Sequence, residues 1–364
     1  MQQDRFIKSE RFKGFLGVSA LLLAYSLTGC LMLFNVTRGS ANNVFFVQKQ
    51  LVSMALCLVA AFLIFMLPVG SLKRSFAYCG AVVYLLLWGL FVFGQRINGA
   101  IGWYRLGAYS FQPSEIFKPV FIVGLAWVCE KTSAFNSPGK RLLWQLLFVL
   151  AVVLPIALQP DWGTVLVYSM TFALVIWCEG LPRRYLVIIA VLGVSAATVA
   201  IMNFRHVRLR FTSFLEALFS PSGPTEYHAQ RLQECLVKGG WTGSMFQSQD
   251  ALNALPYRYS DSLFAGATEL LGAAGVIPIV LLCLAWCFHC CCLASKHDST
   301  IGRCIFLGAG VMVTTQAFIH LSVNLGLMPN TGIPLPLFSY GGSSLLATFV
   351  IFTMVQRLQM EKGI

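Results

Sequence analysis

Five ionisable side chains stand where an apolar chain has little reason to place them: Glu115, Lys118, Asp161, Asp261 and Glu269. Four fall inside or at the edge of long apolar runs, and Asp261 falls just before one. A charge at membrane depth is costly, so such a group points first to a pathway or a reacting site. Glu115 and Lys118 are three residues apart and share one helix face, so they can pair. A buried ion pair that only fixes packing is the plainer alternative. Asp161 lies in Leu158-Gln-Pro-Asp-Trp-Gly-Thr164, where Pro160 and Gly163 break the chain, and it is well placed to cap the helix that follows. Asp261 closes Leu255-Pro-Tyr-Arg-Tyr-Ser-Asp261, at the end of a semi-polar stretch from Phe204 to Phe264 that carries Arg205, Arg208, Arg210, Arg231, Lys238 and Arg258. A carboxylate behind a basic segment, before a new apolar run, suggests general-base chemistry on an anionic substrate at a membrane surface.

The stretch Leu325 to Ser344 is the other unusual one, with three prolines and four glycines that no regular helix tolerates. Irregular backbone at membrane depth persists only against protein or a water-lined cavity. Its end, Ser339-Tyr-Gly-Gly-Ser-Ser344, opens a new apolar run, where free backbone N–H groups can face an anion. A re-entrant structural turn is the competing reading.

The elements that must position these groups follow from composition. The chain of 364 residues is 57% hydrophobic and 11% charged, with a mean hydropathy of +0.73. Soluble domains carry about 25% charged residues, so the expectation is an all-α polytopic membrane protein of about ten spans of roughly 20 residues each. The long, non-alternating runs argue against a β-barrel. The runs place spans at 15–36, 48–68, 76–94, 114–130, 142–158, 163–179, 185–203, 265–289, 304–325 and 341–358. That leaves a tail at 1–14, one large extracellular loop at 204–264 between spans 7 and 8, a polar loop at 94–107 and a tail at 359–364. Basic residues between the runs orient both termini to the cytoplasm. The net charge of +12 is dispersed between apolar runs, which speaks for membrane anchoring and against nucleic acid. Most of the twelve cysteines lie in or beside apolar runs and make no disulfide framework. Cys287, Cys290, Cys291 and Cys292 with His289 read as small soft residues at a helix end, with a metal or acylation site as the sharper alternative.

These motifs together resemble the SEDS family (shape, elongation, division and sporulation), which includes RodA and FtsW. The resembling stretches are Phe111-Gln-Pro-Ser-Glu-Ile-Phe-Lys118, Gln159-Pro-Asp-Trp-Gly-Thr164, Leu255 to Asp261, Glu269 to Gly272, and Thr331-Gly-Ile-Pro-Leu-Pro to Ser344. In the family the second reads QPDLGT and the last TGLPLPFxSYGGSS. The chain departs at Tyr257 for the usual Glu, Tyr259 for His, Ser260 for Thr, Thr268 for Gly, and His320 where Asn is common. Gly239-Gly-Trp-Thr-Gly243 retains part of the family's GxGLGxS pattern.

The resemblance implies a peptidoglycan glycosyltransferase that polymerises lipid II at the outer face of the bacterial cytoplasmic membrane, for cell elongation or division. It implies a class B penicillin-binding protein, a transpeptidase, as partner, beside other elongation or division proteins. Asp261 falls on the family's essential aspartate. Glu115, Lys118, Asp161, Glu269, Gln112, Ser339, Gly341, Gly342 and Ser343 fall on positions expected to line the substrate cavity. No nucleotide is expected, because the donor is already activated, and a divalent cation, Mg or Mn, is a candidate for the departing diphosphate. A lipid-linked precursor flippase and a non-catalytic scaffold of the cell-wall synthesis complex are the alternatives.

Overall fold

Apolar runs in hydrocarbon must satisfy their backbone groups internally, and these runs do so as helices. The computed structural model describes residues 2–38, 43–66, 69–97, 99–107, 109–219, 227–244 and 250–361. The long helices are α1 (Gln2–Val36), α2 (Asn43–Met66), α3 (Val69–Phe93), α4 (Pro113–Ser133), α5 (Pro138–Leu158), α6 (Trp162–Cys178) and α7 (Arg183–Asn203). Three shorter helices follow, α8 (Arg205–Phe219), α9 (Tyr227–Gly239) and α10 (Asp250–Ala254), before the long α11 (Leu263–Ser295), α12 (Thr300–Asn324) and α13 (Gly342–Glu361). Among the described residues, seven helices are long and apolar enough to cross a membrane: α1, α2, α3, α5, α7, α11 and α12. Thus the helical, polytopic class expected from the sequence holds.

The helix boundaries have local causes. Pro113 and Pro138 start α4 and α5, where a missing N–H costs nothing. Asp161 caps α6 by accepting from the Thr164 N–H at 3.2 Å, as its type and place suggested. α1 begins at Gln2, so the expected tail at 1–14 continues the first helix. Residues 362–364 of the expected C-terminal tail lie outside the described residues.

Two segments differ from expectation. The 94–107 segment, expected as a polar loop, forms with its neighbours a small antiparallel sheet of β1 (Gln95–Ile97), β2 (Ala100–Leu106) and β3 (Tyr109–Phe111), in the order β1-β2-β3. Two bonds hold it on the helices: Ile101 N–H donates to Gln159 O at 3.0 Å, and the Tyr104 hydroxyl to Leu86 O at 2.8 Å. The signal was present in Ile97, Ile101, Trp103 and Tyr104, a pattern of β-branched and aromatic residues that the glycines obscured. The expected loop at 204–264 holds α8, α9 and α10; its residues 220–226 and 245–249 lie outside the described residues.

α12 sits at the centre. Its span is 83% buried, against 6% for α7 at the periphery. It packs on α4, α6, α11 and α13. α11 kinks at Gly272 (φ 69°, ψ 176°), where the backbone around Gly243 comes so close that no Cβ fits. There Ser244 N–H donates to Glu269 O at 2.7 Å, Ala273 N–H to Gly240 O at 2.8 Å and Ala274 N–H to Trp241 O at 3.2 Å. These bonds join the segment after α9 to the first turns of α11.

Candidate active site

A cavity of about 820 Å³ opens between the sheet, the start of α6, α7, α8, the turn at 257–261 and the irregular segment before α13. Asp261, Asp161, Glu115, Gln112, Gly341, Gly342 and Ser343 line it, so seven of the ten residues singled out in the sequence border the same cavity. Lys118, Ser339 and Glu269 are not among its lining residues, which corrects the expectation that they are.

Each exception has a physical reason. Lys118 is 1% exposed; its Nζ donates to Glu115 Oε1 and to Gln316 Oε1, both at 2.6 Å. Gln316 in turn donates to Pro334 O at 2.9 Å and Ser344 Oγ at 3.1 Å. The ammonium is thus the hub that ties α4 and α12 to the broken segment, one layer behind the cavity. Ser339 Oγ accepts from Leu335 N–H at 2.9 Å and donates to Ser260 O at 2.8 Å, so it clamps the turn that carries Asp261. Glu269 is fully buried in α11 beside Cys235 of α9, and it joins α9 to the membrane body instead of facing substrate.

The turn at 257–261 is fixed from several sides. Tyr257 holds φ 50°, and its carbonyl accepts from Ser260 N–H at 2.9 Å and Ser262 N–H at 3.3 Å. Tyr340 N–H donates to Tyr259 O at 2.9 Å. Asn324, fully buried at the end of α12, donates to Asp261 O at 2.9 Å and accepts from Ala265 N–H at 3.1 Å. The Asp261 carboxyl therefore projects, half-buried, from a backbone that cannot swing. A Cβ on Gly332 would lie 3.6 Å from its Oδ2, so the Thr331-Gly-Ile-Pro motif comes into direct contact distance of the carboxyl. Burial pushes the Asp261 carboxyl above the usual range, opposed by a Ser260 hydrogen bond and by the charge of Arg210.

Asp161 faces the same space but is already engaged. Gln112 Nε2 donates to its Oδ2 at 2.9 Å, while Gln112 N–H donates to Ser343 Oγ at 3.1 Å. Burial raises this carboxyl too, against the Thr164 hydrogen bonds, and the charges of Glu115 and Lys118 reach it with opposite sign. Across from it, His206 contacts Pro160 O at 3.3 Å, and Arg210 donates to Asn330 O at 3.4 Å. Burial holds the His206 imidazole below its usual range despite that carbonyl, and Arg210 and Arg96 add to the effect.

Sequence reasoning missed Asn324, Gln316 and Gln50, the last of which holds Ser339 O at 3.3 Å and accepts from Gly341 N–H at 3.4 Å. All three are buried amides in apolar helices, where a polar group must be satisfied. That was the available signal. A metal finds no ready-made cage: among the described residues, no group of three His, Cys, Asp or Glu side chains is placed to hold an ion.

Helices long and apolar enough to span a membrane, broken where carboxylates, an arginine and a glycine-rich turn line one cavity, fit a polytopic membrane enzyme or carrier. The comparisons narrow this. Residues 12–363 match the cell cycle protein family model of FtsW, RodA and SpoVE, and the chain belongs to that family. A relative from Hydrogenovibrio crunogenus, named a probable peptidoglycan glycosyltransferase FtsW, is 30% identical over 326 residues, which is 87% of this chain and 82% of that protein. One of the same name from Synechocystis is 30% identical over 353 residues, 94% and 88% of the two chains. Among solved structures, a chain from a peptidoglycan synthase complex that coordinates polymerization and crosslinking superposes with a TM-score of 0.75 at 28% identity, covering 95% of this chain and 97% of that one. The rod shape determining protein RodA of Thermus thermophilus gives 0.68 at 26% identity, over 95% and 96%.

Proposed function

We propose that this protein is a peptidoglycan glycosyltransferase that polymerises lipid II into glycan strands at the outer face of the bacterial cytoplasmic membrane. The observation that carries the reading is Asp261, held rigidly on a cavity wall whose electrostatics include Arg210. In this reading a sugar hydroxyl of the acceptor gives its proton to the Asp261 carboxylate. Its oxygen forms the new bond to the donor's anomeric carbon, with inversion. The bond from that carbon to the diphosphate breaks, and the diphosphate leaves with the electron pair. A positioned base contributes roughly 10²–10⁴-fold, and stabilisation of the leaving charge is commonly the larger contribution.

Arg210 and the backbone N–H groups opening α13 are suited to that charge, since guanidinium and phosphate pair bidentately. Lys118 is assigned to holding the scaffold. Asp161, already bonded to Gln112 and capping α6, is assigned to keeping Gln112 and Ser343 in place. A Mg or Mn ion enters only as a companion of the diphosphate.

Among the described residues, the seven span-competent helices together with α4, α6 and α13 support a ten-span layout; the basic residues between the apolar runs support both termini in the cytoplasm and the 204–264 segment outside. A class B penicillin-binding protein, which cross-links the strands, is the proposed partner, together with other proteins of elongation or division. A chain that superposes on this one with a TM-score of 0.75 belongs to a synthase complex, which supports that partnership. The test uses the purified protein in vesicles with lipid II. Wild type makes polymer, and Asp261→Asn makes none while keeping its unfolding temperature. Polymer from Asp261→Asn would remove the base assignment, and lipid translocation without polymer would replace the enzyme with a flippase.

A further inference from the structure

Tyr257, Tyr259, Phe46, Phe45 and Tyr109 form a continuous aromatic path that starts beside Asp261 and ends on the sheet. Tyr257 and Tyr259 ring centroids are 6.4 Å apart, Tyr259 stacks on Phe46 at 4.6 Å, and Phe46 meets Phe45 at 6.2 Å. The path then crosses Lys49, whose ammonium lies 4.1 Å from the Phe45 ring and 5.1 Å from that of Tyr109. At the inner end, the Tyr259 ring is close enough to Asp261 for the two to interact electrostatically. At the outer end, Tyr109 is 52% exposed. All these residues line the cavity wall and face its interior.

We propose that this path is a binding track for the sugar chain itself, an N-acetylated, carboxylate-bearing β-linked glycan, as it leaves Asp261. The inference rests on the glycosyltransferase reading for its ligand. Three observations support it. Tyr257 and Tyr109, at the two ends of the path, are exposed and present apolar faces on which the C–H faces of sugars stack, with phenolic hydroxyls to hydrogen-bond at the edge, while Tyr259 and Phe46 stack on each other and fix the path between them. Second, Tyr257 is a large exposed ring held at φ 50°, a strained conformation for a non-glycine residue of the kind retained at ligand clamps. Third, Lys49 and Arg105 line the same cavity as the rings, so an anionic group on the sugar chain meets positive charge beside the path. Aromatic residues also gather at membrane interfaces as anchors. Lipid anchors face outward, whereas these face the space that holds Asp261.

The experiment uses the full chain in lipid nanodiscs and a lipid-free chitohexaose probe, with a muramic-acid-containing oligomer of equal length as the charged comparison. Asp261→Asn binds chitohexaose as wild type does, because the track does not need the base. The double variant Tyr257→Leu and Tyr109→Leu, which keeps bulk and loses the flat faces, weakens binding about tenfold or more. The charged oligomer binds more tightly than chitohexaose, and Lys49→Gln removes that difference. Unfolding temperature is read for every variant. Equal affinity of wild type and the double variant would reduce the path to an interfacial anchor, and absence of wild-type binding would overturn the track outright. If instead Asp261→Asn still polymerises lipid II while the track variants lose the oligomer, the base assignment fails and the track stands.

Discussion

Replacing Lys118 by methionine separates a structural hub from a catalytic cation. Lys118 and Glu115 are 1% and 3% exposed and form a 2.6 Å ion pair, and the same ammonium also donates to Gln316 Oε1 at 2.6 Å. Glu115 Oε2 has no hydrogen-bond partner, so nearly all the compensation for burying that carboxylate comes through Lys118. Breaking such a pair by removing one member costs about 3–5 kcal/mol, because the remaining charge is left buried. Net stabilities are about 5–15 kcal/mol, so Lys118→Met lowers the unfolding temperature by an amount that ordinary thermal scans in detergent resolve. Adding Glu115→Gln removes the stranded charge, and a neutral amide beside Gln316 is bonded at little cost. The double variant therefore recovers most of the loss, with a coupling of about 1–3 kcal/mol of the sign that rescues. A double variant no more stable than the sum of its two single changes would refute the hub, and Lys118 would then regain a place in the chemistry.

Asn324→Ala strips the bonds to Asp261 O and Ala265 N–H, leaving buried backbone groups unpaired at about 1–3 kcal/mol each; faster hydrogen exchange at 257–265 and a fall of about 10²-fold in polymerisation check it. The pH profile of polymerisation follows Asp261. Its carboxyl is raised by burial, so the rate is full above that raised value and is lost as pH falls through it, at a midpoint above that of an ordinary carboxylate. The same shift favours the protonated form in the fold, so its contribution to stability is present below the unfolded value and lost as pH rises through the folded one. Arg210→Gln removes a charge that lowers the carboxyl and moves the kinetic midpoint upward; an unmoved midpoint in that variant argues that another group titrates. Gln112→Leu frees Asp161 Oδ2 while leaving the Thr164 cap, so it reduces polymerisation with little change in unfolding temperature.

The helical architecture was legible because hydrocarbon imposes a single solution on long apolar runs, and Asp161 announced both its turn and its cap. Seven site residues were legible through motifs, yet motif membership did not say which side of a wall each occupies. Lys118 and Glu115 share a helix face in any reading, but only the packing of α12 shows Gln316 drawing the ammonium away from the cavity. Ser339 reads in the sequence as part of an anion-facing turn, whereas its hydroxyl is used up by Leu335 and Ser260. Asn324 and Gln316 stayed hidden because a lone amide in an apolar run has no local pattern; its partners are 59 and 198 residues away. The sheet was missed for a related reason, since its hold on the helices comes from Gln159 and Leu86, outside its own segment.

The kink at Gly272 gives the outer segment a mechanical character. Asp261 lies immediately before α11, and the chain after α9 is pinned at Glu269, eight residues on and before the kink, and again at Ala273 and Ala274 just beyond it. The Asp261 carboxyl and α9 are therefore mounted on one short rod, the part of α11 before the kink, and torque applied to α9 turns that rod without first passing through slack chain.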